Sequence, residues 1–154
     1  MPIFRLNHAV LYVRDLERSV AFYREILGFE QVMGMPGAAF IQAPGSTNDH
    51  DLGLFQMGSG AGPSEAGRRT VGLYHLAWEV PRIRDLADAR DTLQRLGALV
   101  GQSDHGATKS LYGQDPDGNE FEVMWMVPAD QWGEHEASAP VLPLDLEAEL
   151  QRHG

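Results

Sequence analysis

The chain has 154 residues, 43% of them hydrophobic and 22% charged, values near globular averages that exclude wholesale disorder, a collagen-like repeat and a coiled coil. Its 12 Lys and Arg stand against 22 Asp and Glu, and the resulting formal charge of -10, without any clustered basic face, excludes nucleic acid as a partner. Cysteine is absent, so disulfides, thiolate catalysis and sulfur-ligated metals are excluded as well, and any metal must be held by nitrogen and oxygen.

No apolar run approaches the roughly 18 to 20 residues that cross a bilayer. The opening Met1-Pro2-Ile3-Phe4-Arg5 has no basic segment leading into an apolar one, so a cytoplasmic protein without a membrane partner is expected.

In chain order, residues 6–13 are rich in β-branched and aromatic side chains and predict a strand. Asp15 then caps a helix whose apolar residues Leu16, Val20, Phe22, Tyr23, Ile26 and Leu27 recur at spacings of three and four until Gly28 stops it. Three short strands follow at residues 29–35, 38–43 and 51–57, separated by Pro36-Gly37 and Pro44-Gly45-Ser46 turns. Residues 58–70 carry a Gly/Ala/Ser/Pro/Glu stretch that reads as a linker.

The pattern then repeats. Residues 72–80 predict a strand, with His75 in its first half as His8 is in the first half of the opening strand. Ile83, Leu86, Ala87, Ala89, Arg90, Leu93 and Leu96 trace a helix that ends at Gly97, and strands at 99–102, 109–113 and 120–127 complete the second copy. His8 precedes its helix-ending glycine by 20 residues and His75 precedes its own by 22. The tail, 128–154, is polar and Pro-containing until residues 144–150, which predict a short terminal helix.

Alternate strand residues share a face. His8 therefore sits with Leu6, Val10 and Tyr12, opposite the small aliphatic face of Ala9, Leu11 and Val13 that suits packing on a helix. His75 aligns with Leu73 and Ala77, and Glu122 with Glu120 and Met124.

Strand, helix, then three strands, written twice, with a histidine early in each first strand and Asp115-Pro116-Asp117-Gly118-Asn119-Glu120-Phe121-Glu122 before the last strand, resembles the vicinal oxygen chelate superfamily. The resemblance covers residues 5–127 and implies an α+β fold: two tandem βαβββ modules, at about 5–57 and 71–127, whose curled mixed sheets surround a metal-binding cleft. It implies His8, His75 and Glu122 as metal ligands. Two imidazoles and one carboxylate leave coordination positions open and suit Fe(II), although Mn(II), Ni(II) and Zn(II) accept the same set.

Within that family, a histidine ahead of a Leu-x-x-Phe-like strand is similar to the acid/base histidine of extradiol catechol dioxygenases, and His50 in Asn48-Asp49-His50-Asp51-Leu52-Gly53-Leu54-Phe55 matches it. His105 and Tyr112 resemble the residues that hydrogen-bond the substrate's oxygens. The resemblance thus implies ring cleavage of a small catechol-like aromatic by O2. Two open, curled sheets have edges that need cover, so a homodimer is expected, formed through the module edges or the tail, whose Val141, Leu142, Leu144, Leu146 and Leu150 are apolar.

Two alternatives stay open. A glyoxalase-like isomerase or lyase would need a fourth ligand from the last strand of the first module, where the 67-residue offset between His8 and His75 points to Phe55; neighbouring Gln56, or else His50, could serve, with Glu122 as a base. A metal-free protein that sequesters a drug-like aromatic would need no His, His, Glu set.

Overall fold

The computed structural model describes residues 2–66, 69–135, 138 and 140–154, so Met1, Gly67 and Arg68 of the expected linker, and Glu136, Ala137 and Ala139 of the tail lie outside the described residues. The chain divides into two compact units, Met1–Ser64 and Glu65–Gly154.

The first unit runs β1 (Ala9–Val13), α1 (Leu16–Leu27), β2 (Glu30–Met35), β3 (Ala38–Gln42) and β4 (Leu52–Gln56). Its sheet order is β1-β4-β3-β2, with β1 parallel to β4 and the other neighbours antiparallel. The Asp15 carboxylate accepts a hydrogen bond from Arg18 N at 3.0 Å, satisfying one of the donors left free at the start of α1. At the other end Gly28 takes a left-handed φ of 67° and returns its N–H to Arg24 O. Tyr23 and Ile26 of α1 are buried in the first unit, whose core also holds Val13, Phe29, Ile41, Leu52 and Leu54.

The second unit repeats this design with β5 (Leu76–Val80), α2 (Ile83–Arg95), β6 (Leu99–Asp104), β7 (Thr108–Gln114) and β8 (Glu120–Met126), in sheet order β5-β8-β7-β6. Gly97 has φ 65°, matching Gly28. Here α2 begins without a side-chain cap; Arg82 pairs instead with Asp85, one turn on. Leu86, Leu93, Leu111, Phe121 and Val123 form its buried centre. The fold is thus α+β, with two tandem modules, each a four-stranded mixed sheet and a helix.

Several boundaries move. Both histidine-bearing strands begin one residue after the histidine, so His8 and His75 sit at the strand mouths rather than within them. The terminal helix α3 runs Leu146–His153 rather than from 144, because the Asp145 carboxylate accepts from Ala148 N at 3.0 Å and starts it there. The tail also differs in use: Leu144 and Leu146 are buried within the chain, while Val141 and Leu142 remain exposed, so the tail does not offer its whole apolar set to a second copy. Among the described residues no helix is long and apolar enough to cross a membrane.

Candidate metal and substrate site

In the second unit, the parallel pairing of β5 with β8 places Leu76 against Phe121 and Ala77 against Glu122, which brings the residue at the mouth of β5 close to the glutamate. His75 Nε2 lies 3.1 Å from Glu122 Oε2, both side chains being largely covered. Two donors in adjacent positions about one ion, each roughly 2.1 Å from it, stand about 3.0 Å apart. This nitrogen and oxygen therefore fit as neighbouring ligands of one divalent ion. His75 Nδ1 is buried without a hydrogen-bond partner.

Glu122 also faces Tyr112, its register partner across β7 and β8. The Tyr112 ring stands 5.7 Å from that of His75, centroid to centroid. Burial, and next the nearby Glu122 carboxylate, push the Tyr112 phenol above its ordinary pKa, so it holds its proton. The hydroxyl lies 2.9 Å from His105 Nε2, and His105 Nδ1 lies 2.7 Å from Pro140 O. His105 is therefore engaged at both nitrogens and is not a free turn residue. Asp115 holds the turn before β8 together: its carboxylate accepts from Asp117 N, Asn119 N and Asn119 Nδ2, all at 2.9 Å.

The first unit brings His8 and His50 together, with ring centroids 4.3 Å apart. His50 is buried, edge-on to Phe40, with Nδ1 2.9 Å from Asp49 Oδ2 and Nε2 lacking a hydrogen-bond partner. That Nδ1 contact holds Asp49 below the usual carboxylate pKa. His8 is exposed, its Nδ1 2.8 Å from Asn7 Oδ1. Taken unit by unit, these side chains come together in pairs; among the described residues no group of three His, Asp or Glu forms a metal-ligating set.

The register corrects the position read for a fourth ligand. Val10 of the first unit corresponds to Ala77 of the second, 67 residues on; Ala77 pairs with Glu122, whereas Val10 pairs with Gly53. The counterpart of Glu122 is thus Gly53, not Phe55. Two extra residues enter the second unit between its histidine and the end of α2, so the offset has grown from 67 to the 69 that separates Gly28 from Gly97. The glycine spacing carried that signal in the sequence. Gln56 is not free to act as a ligand either, because its amide oxygen accepts the Leu16 N–H at 3.1 Å, at the start of α1.

The model of the Glyoxalase/Bleomycin resistance protein/Dioxygenase superfamily matches residues 5–123. The chain belongs to this superfamily. It is 29% identical over 152 residues to the catechol-2,3-dioxygenase of Bacillus subtilis (strain 168), covering 97% of this chain and 52% of that protein. With the biphenyl-2,3-diol 1,2-dioxygenase 3 of Rhodococcus globerulus it shares 35% identity over 120 residues, 77% of this chain and 62% of the relative. The manganese-dependent 2,3-dihydroxybiphenyl 1,2-dioxygenase of Geobacillus genomosp. 3 is 28% identical over 129 residues, 81% of this chain and 38% of the relative. The chain thus spans between about four-tenths and six-tenths of the length of these relatives. Among solved structures, a glyoxylase/bleomycin resistance protein/dioxygenase domain from Frankia sp. EAN1pec superposes with a TM-score of 0.70 at 24% identity, covering 87% of this chain and all of that one.

Proposed function

We propose that this superfamily member is a metal-dependent extradiol-type dioxygenase that cleaves a catechol-like ring with O2, with His8, His75 and Glu122 as the ligands and Fe(II) as the metal. The observation that carries this reading is the pairing of His75 with Glu122 while the matching place in the first unit holds Gly53. Gly53 has no donor atom, and Gln56 has spent its amide oxygen on a helix N-terminus. A three-donor set supports chemistry in which several positions on the ion stay open for other ligands. A glyoxalase-like isomerase with four protein donors finds no such residue at the place the register assigns. The sequence similarity to three ring-cleaving dioxygenases supports the same choice.

The bound metal would supply a common centre for both substrate hydroxyl oxygens and O2, and a path for charge between them. This chain's residues do the rest. Tyr112, kept protonated by burial and by Glu122, offers its hydroxyl beside the Glu122 carboxylate, where it hydrogen-bonds a substrate oxygen. His105 orients that hydroxyl from behind. His50 carries protons: its Nε2 is buried and unpartnered, while Asp49 holds the ring through Nδ1. A positioned group of this kind contributes roughly 10²- to 10⁴-fold in rate.

The test is metal analysis of anaerobically purified protein followed by oxygen uptake with a panel of catechols. About one iron per chain and stoichiometric oxygen uptake with a coloured ring-opened product are expected. Protein loaded with Fe(II) that consumes no oxygen with any catechol, yet converts a hemithioacetal, would replace this reading with the isomerase.

A further inference from the structure

Three contacts from the tail, and a fourth from Val127 just after β8, hold the end of β6 and the turn that follows it, residues 104–107. Asp104 and Leu142 exchange both backbone hydrogen bonds, at 2.9 and 3.0 Å. Pro140 O takes the Nδ1 side of His105, and Val127 N donates to Ala107 O at 2.9 Å. The His135 ring covers Gly106, which has φ 76° and where a Cβ would come within 2.4 Å of the ring. On the opposite sheet face the tail is fastened again: Lys109, three residues before Tyr112 on β7, places Nζ 2.6 Å from Asp104 Oδ1 and 3.6 Å from Glu149 Oε2 of α3.

A backbone carbonyl can only accept a hydrogen bond, so the nitrogen of His105 that faces Pro140 O carries a proton. In the neutral ring Nε2 is then an acceptor, and the Tyr112 O–H donates to it across 2.9 Å. With its proton committed to His105, the Tyr112 oxygen has only lone pairs left for a ligand.

We propose that the C-terminal strap, through the Pro140 carbonyl, is a positioning element that fixes the His105 tautomer and thereby makes Tyr112 a hydrogen-bond acceptor toward the substrate, selecting substrates that keep a free hydroxyl there. The substrate class rests on the ring-cleaving reading given above; the tautomer and its control by the strap do not. The selected feature is a donor O–H, so a catechol is favoured over its monomethyl ether. One hydrogen bond made or lost corresponds to a discrimination of roughly tenfold.

Three measurements on the full-length chain test this. The first is the ¹⁵N shifts of labelled histidine at neutral pH without substrate, where His105 should be protonated at Nδ1 and bare at Nε2. The same state should persist in Tyr112→Phe, because the strap and not the tyrosine sets it; Nε2 protonation in either protein would overturn the proposal. In Leu142→Pro, which removes the N–H that Asp104 O accepts, His105 should shift to a mixture of tautomers and the preference for catechol over its monomethyl ether should fall roughly tenfold, with metal content unchanged. A folded Leu142→Pro that keeps both the tautomer and the preference also overturns it. Should Leu142→Pro fail to fold, the shifts of the wild type and of Tyr112→Phe decide alone. Absence of oxygen uptake alongside the expected tautomer would reject the dioxygenase reading and leave the strap's role standing.

Discussion

Tyr112 and Glu122 face each other across β7 and β8, so the phenol and the carboxylate share one face of the second sheet. Since burial and Glu122 both favour the protonated phenol, the hydroxyl serves as a fixed hydrogen-bonding group over the working pH range. Tyr112→Phe keeps the ring and removes only the oxygen. We expect oxygen uptake with a catechol to fall roughly 5- to 30-fold, the range of one or two kcal/mol in an oriented contact, with metal content unchanged. Steady-state oxygen electrode traces beside metal analysis check this, and unchanged turnover would remove Tyr112 from the substrate's surroundings.

The 3.1 Å contact of His75 with Glu122 leads to a prediction about metal retention. His75→Ala and Glu122→Gln should each lower affinity for Fe(II) or Mn(II) by well over the roughly tenfold to hundredfold typical of supporting residues, because each removes a direct donor. His8→Ala should do the same if the first unit contributes its histidine. Competition titrations with a metallochromic chelator give the order. Variants that melt earlier but bind metal as before would make the pair a structural ion pair.

Lys109 is buried between Asp104 and Glu149 and ties α3 to the second sheet. Lys109→Met leaves the Asp104 carboxylate without its cation, while Glu149 keeps Arg152 at 2.8 Å, and breaking a largely buried pair in this way costs up to about 3 kcal/mol. A loss of unfolding free energy of that size in urea titration is expected, with metal content preserved. A neutral result would mean that α3 holds through Leu146 and its contact with α2 alone.

The repeat, the helix caps at Asp15, Gly28 and Gly97, and the strand count were legible because period, cap and breaker signals are local. The face of Glu122 was legible for the same reason, since it lies within β8 and alternates with the buried Phe121 and Val123. What was not legible depends on pairing between segments. Gly53 as the counterpart of Glu122 needs the β1–β4 register, and the burial of His50 needs Phe40 and His8 brought beside it. The role of the tail at His105 depends on a carbonyl 35 residues away, which no periodicity announces.

His50 separates two accounts of the first unit. As a proton carrier it lies outside the metal's coordination, so His50→Gln should leave metal affinity unchanged and slow oxygen uptake with a catechol by roughly 10²-fold or more. As a ligand it would lose affinity on the same substitution. The ring contact with His8 and the buried, unpartnered Nε2 make this substitution the deciding one. Gly53→Glu sharpens the choice by supplying the carboxylate that a four-donor site would have. A Cβ at position 53 meets Val10 Cγ2 no closer than 3.4 Å, so the backbone there has room to carry a side chain. If three donors are the working set, the added carboxylate should tighten metal binding while suppressing oxygen uptake, because it takes a position that substrate or O2 requires. Tighter binding with undiminished uptake would show that the open positions lie elsewhere, and His50 would then be examined as the group that closes the set.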